Sequence, residues 1–258
     1  MAWSKNSAGE MVLIPETEEI YVLDKKVHLL QLAGGGFRTS LDSVMLAAAC
    51  PAQEGDHVLD MGCGVGGASF CLLWRVKGVR LTGVEWEHDY CELARANIPL
   101  NDCTGRAEFV DADIRGFAPS DKPLFDHVMC NPPFFEEGAH TPSPDRIKAQ
   151  ALGHQEDDLN LEDWVKAAHR LVKSKGSFTI IYPTQGTDKI IRALGKKFGA
   201  VEIIPLWPRA SEDSKRVIIR ARKDRQSPCR ISAGLVLHEA NGRYTEAAEK
   251  ILRDGNAI

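Results

Sequence analysis

Asp60-Met-Gly62-Cys-Gly64-Val-Gly66-Gly67 is the stretch that decides how this chain is read. It follows the apolar run His57–Met61 and precedes the helical pattern Ala68–Val76, so strand, glycine turn and helix come in succession. Glycines serve where a backbone turns tightly and where a Cβ would collide with an approaching ligand. A strand-to-helix connection with no ligand is the bland alternative, and the βα context weighs against it.

Outward from the turn, strand and helix patterns alternate. Val79–Glu85 reads as a strand, Asp89–Asn97 as a helix, and Ala107–Asp111 and Phe125–Cys130 as strands. An irregular stretch from Asn131 to about Asn160 interrupts the rhythm. It resumes with the amphipathic helix Leu161–Val172, where Trp164 reads as core and Gly176 as the turn that follows. Ser177–Tyr182, Val201–Leu206 and Val217–Ala221 read as strands, with a helix over Thr187–Phe198. Repeated βα units predict a Rossmann-like α/β fold, a mostly parallel sheet with helices on both faces. The last two strands, with no full helix between them, predict an antiparallel edge.

Upstream, residues 1–19 read as a loose polar lead-in, Ile20–Leu23 and Val27–Leu32 as two short strands, and Thr39–Cys50 as a helix. Thr39 is its expected cap, with Asp42 completing a capping box. Residues 20–258 are thus expected to form one domain, with 20–55 an N-terminal part and 56–258 the Rossmann-like core.

The chain has 258 residues, 43% of them hydrophobic, and a net charge of −4. This excludes a globally basic nucleic-acid binder and leaves room for a local basic surface. Seven cysteines, none in a Cys-x-x-Cys pair, and eight histidines without ligand spacing argue against disulfides and against a metal site. No apolar run suits a membrane span and no signal peptide is visible, so a cytoplasmic protein is expected.

Gly62, Gly64 and Gly67 also fit the Gly-x-Gly-x-x-Gly spacing of dinucleotide sites, so the glycines alone leave NAD and S-adenosylmethionine (SAM) both open. Asp60 tilts the choice toward SAM. An acid before the turn gives a pyrophosphate nothing, whereas it can attract the ammonium of a methionine. Gly62, Cys63, Gly64 and Gly66 are the expected turn contacts of the cofactor. Glu85 ends the second strand, where a carboxylate can accept ribose hydroxyls, and Asp113 can receive an adenine amine. Asp111 competes with Asp113 for that role, and either can be an exposed loop acid.

Asn131-Pro-Pro-Phe134 follows the fourth strand on the same sheet edge. A conjugated amine is a poor nucleophile because its lone pair is delocalised. The Asn131 amide oxygen and the Pro132 carbonyl can accept its two N–H groups and turn the lone pair toward a sulfonium methyl. Phe134 offers a face on which a base can stack, and Asn131 borders the cofactor as well. A plain turn is the alternative, since Asn-Pro and Pro-Pro are turn dipeptides.

With these residues in hand, the chain resembles SAM-dependent amino methyltransferases acting on adenine N6, guanine N2 or glutamine N5. Gly36-Phe-Arg-Thr-Ser-Leu-Asp-Ser-Val-Met-Leu-Ala47 and Val236-Leu-His-Glu-Ala-Asn-Gly-Arg-Tyr-Thr-Glu246 are similar to segments of the tRNA1(Val) adenine-37 N6-methyltransferases. The resemblance runs from about residue 20 to the end. It implies a seven-stranded methyltransferase domain, monomeric or weakly dimeric, that uses SAM and acts on tRNA. Phe134 departs from the commoner tyrosine. Phe37 and Arg38 are implied beside the cofactor as a lid, and they read equally well as a helix entry. Between Arg209 and Arg230 eight basic and three acidic residues give +5. Arg220 and Arg222, on one side of a strand, are the expected phosphate contacts, against the alternative of a solvated charged face.

The rivals are a glutamine N5-methyltransferase, a guanine N2-methyltransferase and a SAM-binding module without activity. The roughly 55 residues before Asp60 are few for the helical substrate domain of the first. An intact Asn131-Pro-Pro-Phe134 speaks against an inert binder.

Overall fold

The computed structural model describes residues 2–5, 11–14, 16–33, 39–119, 124–133 and 159–258. Two antiparallel pairs come first, β1 (Ala2–Lys5) with β2 (Met11–Ile14) and β3 (Thr17–Val22) with β4 (Val27–Leu32), followed by α1 (Leu41–Ala49). Then alternate β5 (His57–Met61), α2 (Gly67–Arg75), β6 (Arg80–Glu85), α3 (His88–Leu100), β7 (Ala107–Asp111) and β8 (Phe125–Cys130). The remainder is α4 (Leu161–Leu171), β9 (Val172–Pro183), α5 (Thr187–Leu194), β10 (Phe198–Trp207), β11 (Arg216–Lys223), β12 (Arg230–Ile231), β13 (Leu235–Val236) and α6 (Glu246–Leu252).

Alternation at period two makes the central strands two-faced. Val128 and Cys130 of β8, Phe178, Ile180 and Tyr182 of β9, and Val217 and Ile219 of β11 enter one core, with Trp164, Val165 and Leu171 of α4. Met129, Ile181 and Ile218 enter the other, with the buried faces of α1, α2 and α3. Helices therefore cover both faces of the sheet, as the βα rhythm predicts.

The sheet runs β12-β10-β11-β9-β8-β5-β6-β7, with β13 also on β10. Seven long strands carry it, and β12 and β13 add two residues each. Strands β5 to β9 are mutually parallel, whereas β11 runs antiparallel to both β9 and β10. The antiparallel β10–β11 pair lies at that end of the sheet, with the reversed strand β11 inside it. Strand order reverses between β5 and β8, the place where open α/β sheets leave a crevice beyond the carboxyl ends of their strands.

Several local expectations are corrected. Residues 2–5 and 11–14 pair as strands where a loose lead-in was expected; the apolar, β-branched run Met11–Ile14 suits a strand. Ser40, not Thr39, is the N-cap of α1, and no side chain caps that helix. Asp42 is instead held by Arg216, Nε to Oδ2 at 2.9 Å, so the capping box loses its acid to a tertiary partner. Gly176 lies inside β9, because a Cβ there would stand 2.5 Å from the Asp126 carbonyl oxygen. Helix α5 stops at Leu194, followed by Gly195 at φ +52°, and β10 starts within the stretch expected to be helical. Helix α6 carried no expectation; it is capped by the Thr245 side chain, which accepts from Ala248 N. Among the described residues no helix is long and apolar enough to cross a membrane.

Strand β4 is an edge, and α3 covers it with two asparagines one turn apart. Asn97 Oδ1 accepts from Leu30 N at 2.8 Å, and its Nδ2 donates to Leu30 O and to Val65 O in the glycine turn. Asn101 does the same for His28 N and O. These amides act as a surrogate strand, satisfying edge groups that would otherwise seek another chain. Asn97 is fully buried. Replacing it by Ala strips partners from three backbone groups and is expected to destabilise the fold by about 3 kcal/mol. Urea denaturation checks this, and an unchanged midpoint would show that the hairpin is held by its apolar contacts alone.

Candidate active site

Tight backbone geometry comes first. Gly62, Gly64 and Gly66 have φ of +66°, +55° and +90°, the left-handed region that other residues enter at a cost of about 1–2 kcal/mol. A Cβ at Gly62 would also stand 2.7 Å from Cη2 of Trp164. The amides of Gly62 and Cys63 both donate to Val84 O, at 2.8 and 3.2 Å, tying the turn to β6.

Glu85, at the end of β6, holds two turns at once. Its Oε2 accepts from Gly64 N at 2.8 Å, and its Oε1 accepts from Trp86 N and Glu87 N at 2.9 and 3.0 Å. Burial pushes its pKa up, and the three N–H donors oppose that rise. One lone-pair site or so remains for a ligand hydroxyl.

These groups line a cavity of about 250 Å³ at the strand-order reversal. Of the expected site residues, Gly62, Gly64, Glu85, Asp113 and Asn131 meet there. The register explains why: Met61 pairs with Cys130 and with Val84, and Glu85 with Asp111, so the four carboxyl ends are neighbours. Asn131 carries the distinctive feature. Both Oδ1 and Nδ2 of its amide are buried and without a hydrogen-bond partner. A buried, unpaired amide costs a few kcal/mol, and its place at the cavity wall shows where a partner is wanted. Pro132 behind it is buried and off the wall. Phe134, Phe37 and Arg38 lie outside the described residues.

Asp113 lines the wall and is engaged by Arg115, whose backbone N and Nε donate to its two oxygens at 2.8 Å each. That pairing holds its carboxyl below the usual range. The competitor Asp111 is taken by the His88 ring at 2.7 Å and is off the wall. Asp60 departs from expectation. It is 2% exposed, accepts from Ser69 Oγ at 2.7 Å, and lies beneath the turn, not at the cavity. Burial, with the Glu85 charge adding to it, pushes its pKa up to about 7. Gly66 and Cys63 likewise back the turn without lining the cavity. The Cys63 and Cys130 thiols are pushed up by burial, which suits side chains with no thiolate role.

Arg220 and Arg222 are not among the residues that line the cavity. Arg220 is bound to Glu202, Nε to Oε2 at 3.1 Å, and donates to Ala49 O at 3.0 Å. Arg222 pairs in register with Ser177, which lies opposite His127 near the amino end of β8, whereas the cavity is at the carboxyl ends. Other members of the basic run are also spoken for. Arg230 pairs with Glu202, Arg209 with Glu212, and Lys223 with the carbonyls of His169 and Val172. Much of the +5 is neutralised or bound internally.

Trp86, Glu87, Tyr90, Arg115 and Pro133 complete much of the wall. Adjacency to Glu85, Asp113 and Asn131 was the signal that would have found them. Leu159 and Trp164 come from the far side of the sheet and gave no local signal. Among the described residues no cluster of three potential metal ligands occurs.

A functional role for Glu85 gives a direct expectation. Glu85→Ala removes the acceptor for three backbone amides and for a ribose, and is expected to weaken binding of S-adenosylhomocysteine by about 1.5–3 kcal/mol. Titration calorimetry checks this, and unchanged affinity would leave Glu85 a turn support only.

Comparison with known proteins gives the family and the fold. Residues 38–206 match the model of the methyltransferase small domain. The tRNA1(Val) (adenine(37)-N6)-methyltransferase of Shewanella baltica (strain OS185) is 26% identical over 223 residues, covering 85% of this chain and 92% of its own. The crystal structure of a predicted O-methyltransferase from Agrobacterium tumefaciens superimposes with TM-score 0.69 at 26% identity, covering 84% of this chain and 98% of that one. The T. thermophilus 16S rRNA N2 G1207 methyltransferase, solved with AdoMet and guanosine, shares the fold with TM-score 0.55 at 18% identity, over 84% of this chain and 53% of its own. With the glycine turn, Glu85 and the unpaired Asn131 amide meeting at one cavity, and a family match across most of the sheet, the chain belongs to the methyltransferase small domain family.

Proposed function

We propose that this protein is a SAM-dependent methyltransferase acting on N6 of an adenine in the anticodon loop of a tRNA, adenine 37 of tRNA1(Val) by its relatives, and so works in the cytoplasm. The carrying observation is the Asn131 amide, buried and unpaired beside the Gly62–Gly66 turn. The curated relatives carry that activity in their names, at 26% identity over most of both chains.

The site fits the cofactor in its donor set. Glu85 stands where a ribose hydroxyl can be accepted, Asp113 where an adenine amine can be, and the glycine turn leaves space where a side chain would intrude. Asp60 supplies negative charge beneath the turn, toward the ammonium. SAM, when bound, supplies a methyl group on a sulfonium. Asn131 Oδ1 and the Pro132 carbonyl accept the two N–H groups of the target amine, which localises the nitrogen lone pair toward that methyl. The rigid Pro132-Pro133 backbone fixes the aim, which is preorganisation without acid–base chemistry. An anticodon loop suits such a site because its bases are already partly unstacked.

Transfer of labelled methyl from SAM to purified tRNA, release-factor protein and ribosomal RNA tests the proposal. N6-methyladenosine in digested tRNA is the expected product. Label in guanine or in glutamine would overturn the substrate and leave the methyltransferase family in place.

A further inference from the structure

Besides Asn131, one other polar side chain among the described residues lining the cavity is buried without a hydrogen-bond partner. Trp164 is 4% exposed, and its indole Nε1 has no acceptor. An indole N–H can only donate, and when buried it usually finds an acceptor. The contact with the glycine turn is made by the benzo edge, since Cη2, Cζ3 and Cζ2 are the atoms that a Gly62 Cβ would meet. A phenyl ring, shorter by the fused ring, would not reach this surface, so packing and the N–H have to be separated by an analogue of the same shape. The N–H belongs to the opposite, pyrrole edge.

Trp164 and Asn131 line the same cavity. Met61 pairs in register with Cys130, so Gly62 and Asn131 each follow the carboxyl end of one of two neighbouring strands. The ring that rests on Gly62 is therefore a neighbour of the unpaired Asn131 amide. Helix α4 is fixed there by a complete capping box between Asn160 and Asp163, so the ring is carried on a rigid element.

We propose that Trp164 is a specificity-determining residue whose indole N–H donates to the ring nitrogen next to the exocyclic amine held by Asn131. This rests on the adenine reading above. Adenine offers an amine donor with a neutral acceptor beside it on either edge, N1 on one and N7 on the other. Asn131 Oδ1 and Trp164 Nε1 are the matching acceptor and donor. A carboxylate is the poorer partner for Trp164: of the described residues that line the cavity, Arg115 alone is a cation, and it is engaged with Asp113. A neutral nitrogen is less costly to bury than an unpaired anion.

Trp164→3-benzothienylalanine, introduced by codon expansion, keeps a fused ring of the same shape on Gly62 and replaces the N–H by a sulfur that cannot donate. Steady-state methylation of an anticodon stem-loop RNA at saturating SAM is compared for both proteins, with the target adenine replaced by 1-deazaadenine or 7-deazaadenine. The variant is expected to lose roughly 10- to 100-fold in kcat/KM on the natural base and to bind S-adenosylhomocysteine as the parent does, which also reports intact folding. One of the two deaza substrates is expected to lower the parent to the level of the variant and to lower the variant no further.

Unchanged kcat/KM in the variant would overturn the inference. So would additive losses with both deaza substrates, or a loss confined to S-adenosylhomocysteine affinity, which would assign the N–H to the cofactor. Absence of adenine methylation by the parent protein would instead overturn the substrate reading on which the inference rests.

Discussion

Replacing Asn131 by Ala is expected to lower turnover by about 100-fold or more while leaving S-adenosylhomocysteine affinity within a few fold. The amide is the group proposed to localise the lone pair of the target nitrogen, so its interaction is strongest in the transition state and its loss falls on kcat. Removing one preorganised polar contact of this kind costs on the order of 10²–10³ in rate. The substitution also removes two unpaired buried atoms, so it should not weaken the fold and can raise its stability. Single-turnover rates with calorimetry separate chemistry from binding. Near-normal turnover would show that Asn131 only shapes the turn, and a large loss of cofactor affinity would move its role to the cofactor.

The second large effect concerns stability. Asp60 is 2% exposed, and burial raises its pKa to about 7 from 3.8. A folded-state pKa above the unfolded value means that the folded protein binds the proton more tightly. The contribution of Asp60 to stability is therefore fully present below pH ~3.8 and is lost as pH rises through about 7. A difference of about three pKa units corresponds to roughly 4 kcal/mol. Asp60→Asn, which keeps the shape and an acceptor for Ser69, is expected to gain that much on the parent between pH 4 and pH 8. Denaturant midpoints of both proteins across this range check the prediction. A constant difference would show that Asp60 ionises at its ordinary pKa. The same variant is expected to bind S-adenosylhomocysteine more weakly at pH 8, because it removes the negative charge proposed to act on the ligand's ammonium from beneath the turn. Equal affinity would make Asp60 a support of the turn alone.

Much of this site was legible because its elements are local. Gly62, Gly64 and Glu85 are read from a turn and a strand end, and the crevice beyond the parallel strands brings them together wherever the βα rhythm holds. Asn131 is read the same way, as the first residue after β8. Asp113 and Asp111 were alike in sequence. The structure separates them, because His88, entering α3, takes Asp111 while Asp113 faces the cavity.

The charged residues show the limit. Arg220 and Arg222 alternate correctly to share one side of β11, yet whether a cation is free depends on what the neighbouring strand places opposite it. Glu202 sits across from Arg220 on β10 and also binds Arg230. Direction matters equally: a reversed strand carries its carboxyl end to the far edge of the sheet, and Arg222 goes with it.

By itself the sequence determined the periodicities, the glycine turn, the acid after β6 and the amide after β8, because each depends on residues within a few positions of one another. Only the tertiary structure decided that Asp60 is turned beneath the turn, that Arg220 is neutralised, and that Trp164 of α4 rests on Gly62 beside Asn131. Those outcomes depend on which elements cross in space. Burial and pairing across 18 residues from Glu202 to Arg220, or contact between a turn and a helix far apart in the chain such as Gly62 and Trp164, leave no mark on local sequence.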